Sequence, residues 1–104
     1  MGAPEAAIEN YLVKRVKETG GRTRKLTWIA HRGAPDRMVW WPRRNMGATI
    51  IFLEVKAPGK KPNAQQQRVI NGFIDDGIIV GWVDSKDRVD AFVNTWSLLR
   101  DKNT

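Results

Sequence analysis

Apolar residues recur at helical spacing from Pro4 to Glu18, where Ile8, Tyr11, Leu12 and Val16 fall on one stripe. Pro4 suits a first turn, Glu5 suits the positive end of the helix dipole, and Lys14, Arg15 and Lys17 suit the negative end. Gly20-Gly21 predicts the stop. Period-two alternation then predicts a strand over Arg22 to Arg32, broken by Gly33-Ala34-Pro35. Met38 to Trp41 reads as a short second strand, and Arg43 to Gly47 as a hairpin turn. Thr49 to Ala57 reads as the third strand, antiparallel to the second. After the basic loop Pro58 to Pro62, Asn63 caps a helix to about Asp76, with Val69, Ile70, Phe73 and Ile74 facing the sheet. Gly77 ends it, and Ile78 to Val83 has the character of a buried strand. Strand, helix and strand at this spacing predict a right-handed crossover to a parallel neighbour. A last helix, with Val89, Phe92, Val93, Trp96 and Leu99 apolar, runs to about Arg100, and the tail from Asp101 to Thr104 is expected to fray.

The order is αβββαβα: an α/β fold with a mixed four-stranded sheet flanked by helices, plus a C-terminal helix. At 104 residues the expectation is a single domain over 1–104. No apolar stretch approaches the ~18 residues of a membrane span, and Met1 to Glu9 does not read as a secretory signal. Cysteine is absent, which excludes disulfides, thiolate metal sites and cysteine nucleophiles. It is compatible with a cytoplasmic location.

One stretch departs from the apolar pattern. In Thr49-Ile50-Ile51-Phe52-Leu53-Glu54-Val55-Lys56-Ala57-Pro58, an acid and a base interrupt a hydrophobic strand. Side chains alternate along a strand, so Glu54 and Lys56 share one face, opposite Leu53 and Val55. Charged residues are rarely buried without partners. In isolation the pair reads as an ion pair on a solvated edge strand. Asp36, just before the antiparallel neighbour, favours a different chemistry.

Charge points the same way. The net charge is +7, and it is concentrated: residues 1–68 hold 14 of the 18 Lys and Arg against five acids, or +9, and residues 69–104 carry −2. Such a segment suits a polyanion, chiefly nucleic acid. Acids inside it repel phosphate unless a cation intervenes. Asp36 and Glu54, on neighbouring strands, can share one divalent metal with the carbonyl of Val55, and Lys56 is placed to touch the attacking water or the phosphate. Glu9 adjoins the apolar stripe of the first helix; spacing alone leaves it a stripe-edge acid or a residue leaning into the site.

Pro35-Asp36 and Glu54-Val55-Lys56, eighteen positions apart between the acids and set in this element order, resemble the signature of the PD-(D/E)XK nuclease superfamily. The resemblance narrows to the virus-type replication-repair nuclease (VRR-NUC) domain through Arg32-Gly33-Ala34-Pro35-Asp36-Arg37, Phe52 to Pro58, the glutamines opening the next helix, Gly77 before an apolar strand, and Ile8-Glu9. It covers about residues 5–85. It implies a restriction-endonuclease-like αβββαβ core and a Mg2+- or Mn2+-dependent DNA endonuclease of replication, repair or recombination. It implies metal ligation by Asp36, Glu54 and Glu9, and a catalytic lysine at Lys56. It also implies a glutamine in the following helix. Gln65, Gln66 and Gln67 all qualify, and the spacing back from Gly77 favours Gln66. Stand-alone domains of this kind look viral or phage-borne, which implies the host cytoplasm if this chain is phage-encoded, and some act as dimers on branched DNA.

Arg32 and Arg37 flank the acids, and Arg43, Arg44, Lys60 and Lys61 lie on loops expected near the site strand. These are the candidates for DNA backbone contacts, which position without reading sequence. The single histidine, His31, reads as structural. Of the five tryptophans, adjacent Trp40 and Trp41 must face opposite ways, so one is less protected and suits base stacking or, preferably, a homodimer interface. The alternatives are a non-catalytic nucleic-acid-binding module with a nuclease-like fold and a protein-interaction domain.

Overall fold

A computed structural model describes residues 3–101. Helix α1 spans Ala3–Glu18, and strands β1 (Arg22–Lys25), β2 (Arg37–Trp40) and β3 (Ile51–Val55) follow. Helix α2 (Ala64–Asp75), strand β4 (Val80–Val83) and helix α3 (Lys86–Trp96) complete the order, and a 3₁₀ turn over Ser97–Leu99 extends α3. The sheet runs β1-β2-β3-β4, antiparallel at the first two junctions and parallel at the third. The predicted element order and the mixed four-stranded sheet are therefore observed.

The central strand β3 separates two apolar layers. Ile51, Leu53 and Val55 are each about 1% exposed and meet Ile8, Leu12 and Val16 of α1 and Val89 and Val93 of α3. Those α1 residues recur every four positions, so one stripe stays on the sheet. A polar clasp joins the two helices: the Tyr11 hydroxyl and the Arg15 guanidinium donate to Asp90, at 2.7 and 3.1 Å. On the other face, Phe52 of β3 meets Phe73 of α2 and the ring of Trp28, with centroids 5.6 and 5.9 Å away.

The turn out of α1 depends on a glycine. A Cβ at Gly21 would lie 2.7 Å from Val16 Cγ1 and 2.8 Å from Trp41 Nε1. Trp41 is only 1% exposed and its indole N–H donates to Thr19 at 3.0 Å. Trp40, its neighbour, remains half-buried on the opposite face, as alternation requires.

The first strand is shorter than predicted. Its ladder ends at Lys25, with one further bond from Leu26 N–H to Asp36 O. The alternation of Leu26, Trp28 and Ala30 does not continue as pleat. Trp28 turns onto the Phe52–Phe73 face, Ala30 takes φ 60° and Gly33 takes φ 81°, so residues 27–35 form a structured loop. Strands β3 and β4 likewise begin two residues later than predicted, at Ile51 and Val80.

Candidate active site

The β2–β3 register pairs Arg37 with Leu53, and its continuation sets Asp36 opposite Glu54 at one end of the sheet. The Val55 amide donates to Asp36 Oδ1 at 3.4 Å. Burial raises the Asp36 carboxyl above its ordinary value, the amide pulls it back, and the charge of Glu9 raises it further. Glu54 is only 7% exposed. Burial, then the neighbouring charge of Asp36, push it up to about 8, against a lowering by Lys56. Among the described residues nothing hydrogen-bonds to the Glu54 carboxylate or pairs with it within ion-pair distance.

Lys56 does not close on Glu54. Its ammonium donates to Gln66 Oε1 at 3.1 Å. That same oxygen accepts from Asn63 N–H at 2.9 Å, and Gln66 N–H donates to Asn63 Oδ1 at 2.8 Å, so the α2 capping box holds the side chain facing Lys56. Gln67 instead bonds Asn71, and Gln65 lies against Gly33. Of the three glutamines the structure brings Gln66 to Lys56. The spacing back from Gly77 had favoured it, and the Asn63-x-x-Gln66 capping spacing is a second signal that the sequence holds.

Glu9 leans toward the sheet from α1, where Arg37 Nε at 3.0 Å and Lys25 Nζ at 3.1 Å meet its carboxylate. Burial opposes the Glu9 charge, but the hydrogen bonds and charges of Lys25 and Arg37 outweigh it and hold the carboxyl below its usual range. No three acids converge as a ready metal cluster among the described residues. Glu5, one helical turn earlier, was not singled out by the spacing. Its charge raises both Asp36 and Glu54, and it forms no ion pair among the described residues.

The expected DNA contacts divide. Lys60 and Lys61 are exposed on the loop between β3 and α2, beside Lys56, and Arg32 is exposed on the loop leading to Asp36. Arg37 is only 14% exposed and is engaged by Glu9, so it is not a surface cation. Arg43 and Arg44 lie at the other end of the sheet, because β2 carries the chain away from Asp36 at about 3.3 Å per residue. There Arg43 donates to the Met46 sulfur, and Arg44 lines a recess of about 430 Å³ with Arg22 and Arg100. The expectation that these two arginines sit near the site strand is corrected.

Asp36 and Glu54 are hard oxygen donors side by side, Glu54 buried and Asp36 partly so, and burial raises both above their ordinary values by more than the nearby cations and amide offset. A divalent cation fits this donor set, since it would supply the missing charge. Lys56 on the same strand completes an acid, acid and lysine arrangement on two central strands, which with the αβββαβ order defines a nuclease of PD-(D/E)XK type.

No protein-family model matches the chain. It is 44% identical over 83 residues to "Putative nuclease p44" of Acyrthosiphon pisum secondary endosymbiont phage 1, covering 80% of this chain and 85% of that protein. A solved structure described as a VRR_NUC domain superposes with a TM-score of 0.78 at 33% identity, over 89% of this chain and 97% of the other. The chain belongs to the VRR-NUC nuclease domain family. No described helix is long and apolar enough to cross a membrane.

Proposed function

We propose that residues 1–104 form a single nuclease domain acting as a metal-dependent DNA endonuclease. The observation that carries this reading is the adjacent pair of carboxylates, Asp36 and Glu54, which burial raises above their ordinary values and whose charges the neighbouring groups only partly offset. Together with the Val55 carbonyl they would hold Mg2+ or Mn2+, with Glu9 or Glu5 of α1 completing the shell directly or through water. Bound there, the cation supplies Lewis acidity to the scissile phosphate and its attacking water. Lys56, steadied by Gln66, holds a positive charge toward the attacking oxygen and the charge that develops on the phosphate. Lys60, Lys61 and Arg32 grip backbone phosphates on the approach to the site. Such contacts carry no base reading, which supports selection by DNA structure, branched or junction DNA included, in replication, repair or recombination. The p44 relative supports a phage setting.

Self-association as a homodimer would supply a second site for cutting both strands. Half-exposed Trp40, with Met38, Ala48 and Ile50, lines a shallow hollow of about 280 Å³ that suits the contact. Sedimentation of wild type and Trp40→Ala tests this; wild type that stays monomeric at micromolar concentration removes the dimer.

The activity is tested with supercoiled plasmid and a four-way junction, with Mg2+, Mn2+ or EDTA, comparing wild type with Asp36→Ala and Lys56→Ala. Cleavage only by wild type with metal is expected. Cleavage that survives either substitution refutes the assigned roles, and binding without cleavage under every divalent ion favours the non-catalytic module.

A further inference from the structure

The β1–β2 loop ends on the catalytic side of the sheet, and its tip holds an anomaly. Ile29 is 90% exposed, the most exposed of the large hydrophobic residues described. Isolated exposed apolar side chains are ordinary, so exposure alone carries nothing. The backbone beside it is not ordinary. Ala30 adopts φ 60°, a left-handed conformation that is sterically costly for an L-residue with a Cβ. Strain of this kind persists only where the surroundings enforce it.

Two anchors enforce it. On one side the Trp28 ring lies against Phe52 and Phe73, with centroids 5.9 and 6.0 Å away, and its N–H donates to Pro35 O at 2.6 Å. On the other side Gly33, at φ 81°, lies so close to α2 that a Cβ would stand 3.2 Å from the Gln65 carbonyl carbon and the Gln66 nitrogen. Between the anchors Ile29, Ala30, His31 and Arg32 are all exposed. The loop therefore holds Ile29 out, while its neighbour Trp28 takes the apolar berth against Phe52 and Phe73. A β-branched side chain has few rotamers, so the projection is stiff.

Its position relative to the chemistry is set by the same anchors. Pro35, which accepts the Trp28 bond, precedes Asp36. Gln66, whose backbone abuts Gly33, bonds Lys56. Exposed Arg32 shares the tip with Ile29. A cation for phosphate and an apolar prong beside it match the two surfaces of DNA that a protein meets at a step whose stacking is open.

We infer that Ile29 is a wedge that enters an opened base step a fixed distance from the scissile phosphate, making it a specificity-determining residue. The inference rests on the DNA reading above and deepens it. Prising apart a stacked step costs free energy, and a step already opened by a branch or frayed end costs less. The wedge therefore discriminates in favour of interrupted duplexes.

The test uses full-length wild type, Ile29→Ala, Ile29→Ser and Ile29→Met on two DNAs: a continuous duplex, and the same duplex interrupted by a branch, with 2-aminopurine next to the branch. Binding is read as 2-aminopurine fluorescence in Ca2+, cleavage in Mg2+, and folding by thermal melting. The expected result is a fluorescence rise with wild type and Ile29→Met that is lost in Ile29→Ala and Ile29→Ser. A fall of about tenfold in preference for the branched substrate should accompany the loss, with melting temperature unchanged. A fluorescence rise that persists in Ile29→Ala overturns the wedge. So does an equal loss of cleavage on both DNAs, which marks a loop that only supports the site. Because fluorescence needs no cleavage, a wild type that cuts nothing yet opens the step through Ile29 upholds the wedge and refutes the nuclease reading. A wild type that cuts DNA without opening the step does the reverse.

Discussion

Glu54→Gln should make the metal-free protein more stable at neutral and alkaline pH while removing its activity. Glu54 is raised from an ordinary value of 4.5 to about 8, first by burial and then by the Asp36 charge. A carboxyl raised on folding contributes fully while it is neutral in both states, below about pH 4.5. Above that the unfolded chain ionises and the folded one does not, so stability drains until the folded group also ionises near pH 8. At about 1.36 kcal/mol per pH unit, the loss is roughly 3 kcal/mol by pH 7 and levels off near about 5 kcal/mol by pH 9. Glutamine is neutral throughout, so the variant escapes this loss. Urea unfolding in EDTA at pH 5, 7 and 9 measures it: the two curves should nearly meet at pH 5 and diverge with pH. Divalent cation should then lift wild type by about 2.7 kcal/mol at a hundredfold excess over its Kd, and leave Glu54→Gln almost unmoved. Its binding at pH 7 should also expel about one proton from Glu54, read by calorimetry in buffers of different ionisation enthalpy. Parallel stability curves for the two proteins in EDTA would refute the reasoning, since Glu54 would then ionise normally in the fold.

Lys56→Ala should lower cleavage on the order of 10²–10³-fold with metal affinity and melting temperature nearly unchanged, and Gln66→Ala should lower kcat less, since it loosens Lys56 without removing its charge. Glu9→Ala leaves the mostly buried Arg37 without its carboxylate and should destabilise by about 1–3 kcal/mol, measured by chemical denaturation. Gly21→Ala forces a methyl within 3 Å of Val16 and Trp41 and should cost about 1–3 kcal/mol, with specific activity of the folded fraction intact because the turn lies at the far end of the sheet. Lys60→Ala with Lys61→Ala should flatten the slope of log binding against log salt by about 1–2, whereas Arg44→Ala, distant from the acids, should change it less.

The element order was legible because β3 is buried on the face of Ile51, Leu53 and Val55 and the helices keep clean stripes; hydrophobic period reports burial directly. Glu54 and Lys56 stood out because charge is costly on such a strand, and Asp36 because it precedes the antiparallel neighbour in the Pro35-Asp36 pattern; the structure brings Asp36 opposite Glu54. What failed were matters of the third dimension. Leu26, Trp28 and Ala30 alternate like a strand, yet φ 60° at Ala30 and the aromatic pocket for Trp28 turn the chain out of the sheet. Arg43 and Arg44 stand close to Asp36 in sequence, but an extended β2 converts a few residues into the length of the sheet. The Glu9–Arg37–Lys25 cluster joins a helix to two strands, and no local spacing announces that.

The same cluster explains why the charge deficit falls where it does. Four acids, Glu5, Glu9, Asp36 and Glu54, act on one end of the sheet. Arg37 and Lys25 neutralise Glu9, and the Val55 amide partly steadies Asp36. Lys56 is the cation nearest in sequence to Glu54, yet its ammonium bonds Gln66. Had Lys56 closed on Glu54, the pair would be satisfied and a divalent cation would have to displace an ammonium before binding. With the ammonium held aside, Lys56 offsets the Glu54 charge only in part, and in the proposed mechanism it stays available to a phosphate. The capping box at Asn63 therefore does more than open a helix: the Gln66 oxygen it holds is the one that Lys56 bonds, which keeps the ammonium off Glu54 and, in the proposed mechanism, leaves that carboxylate to a metal.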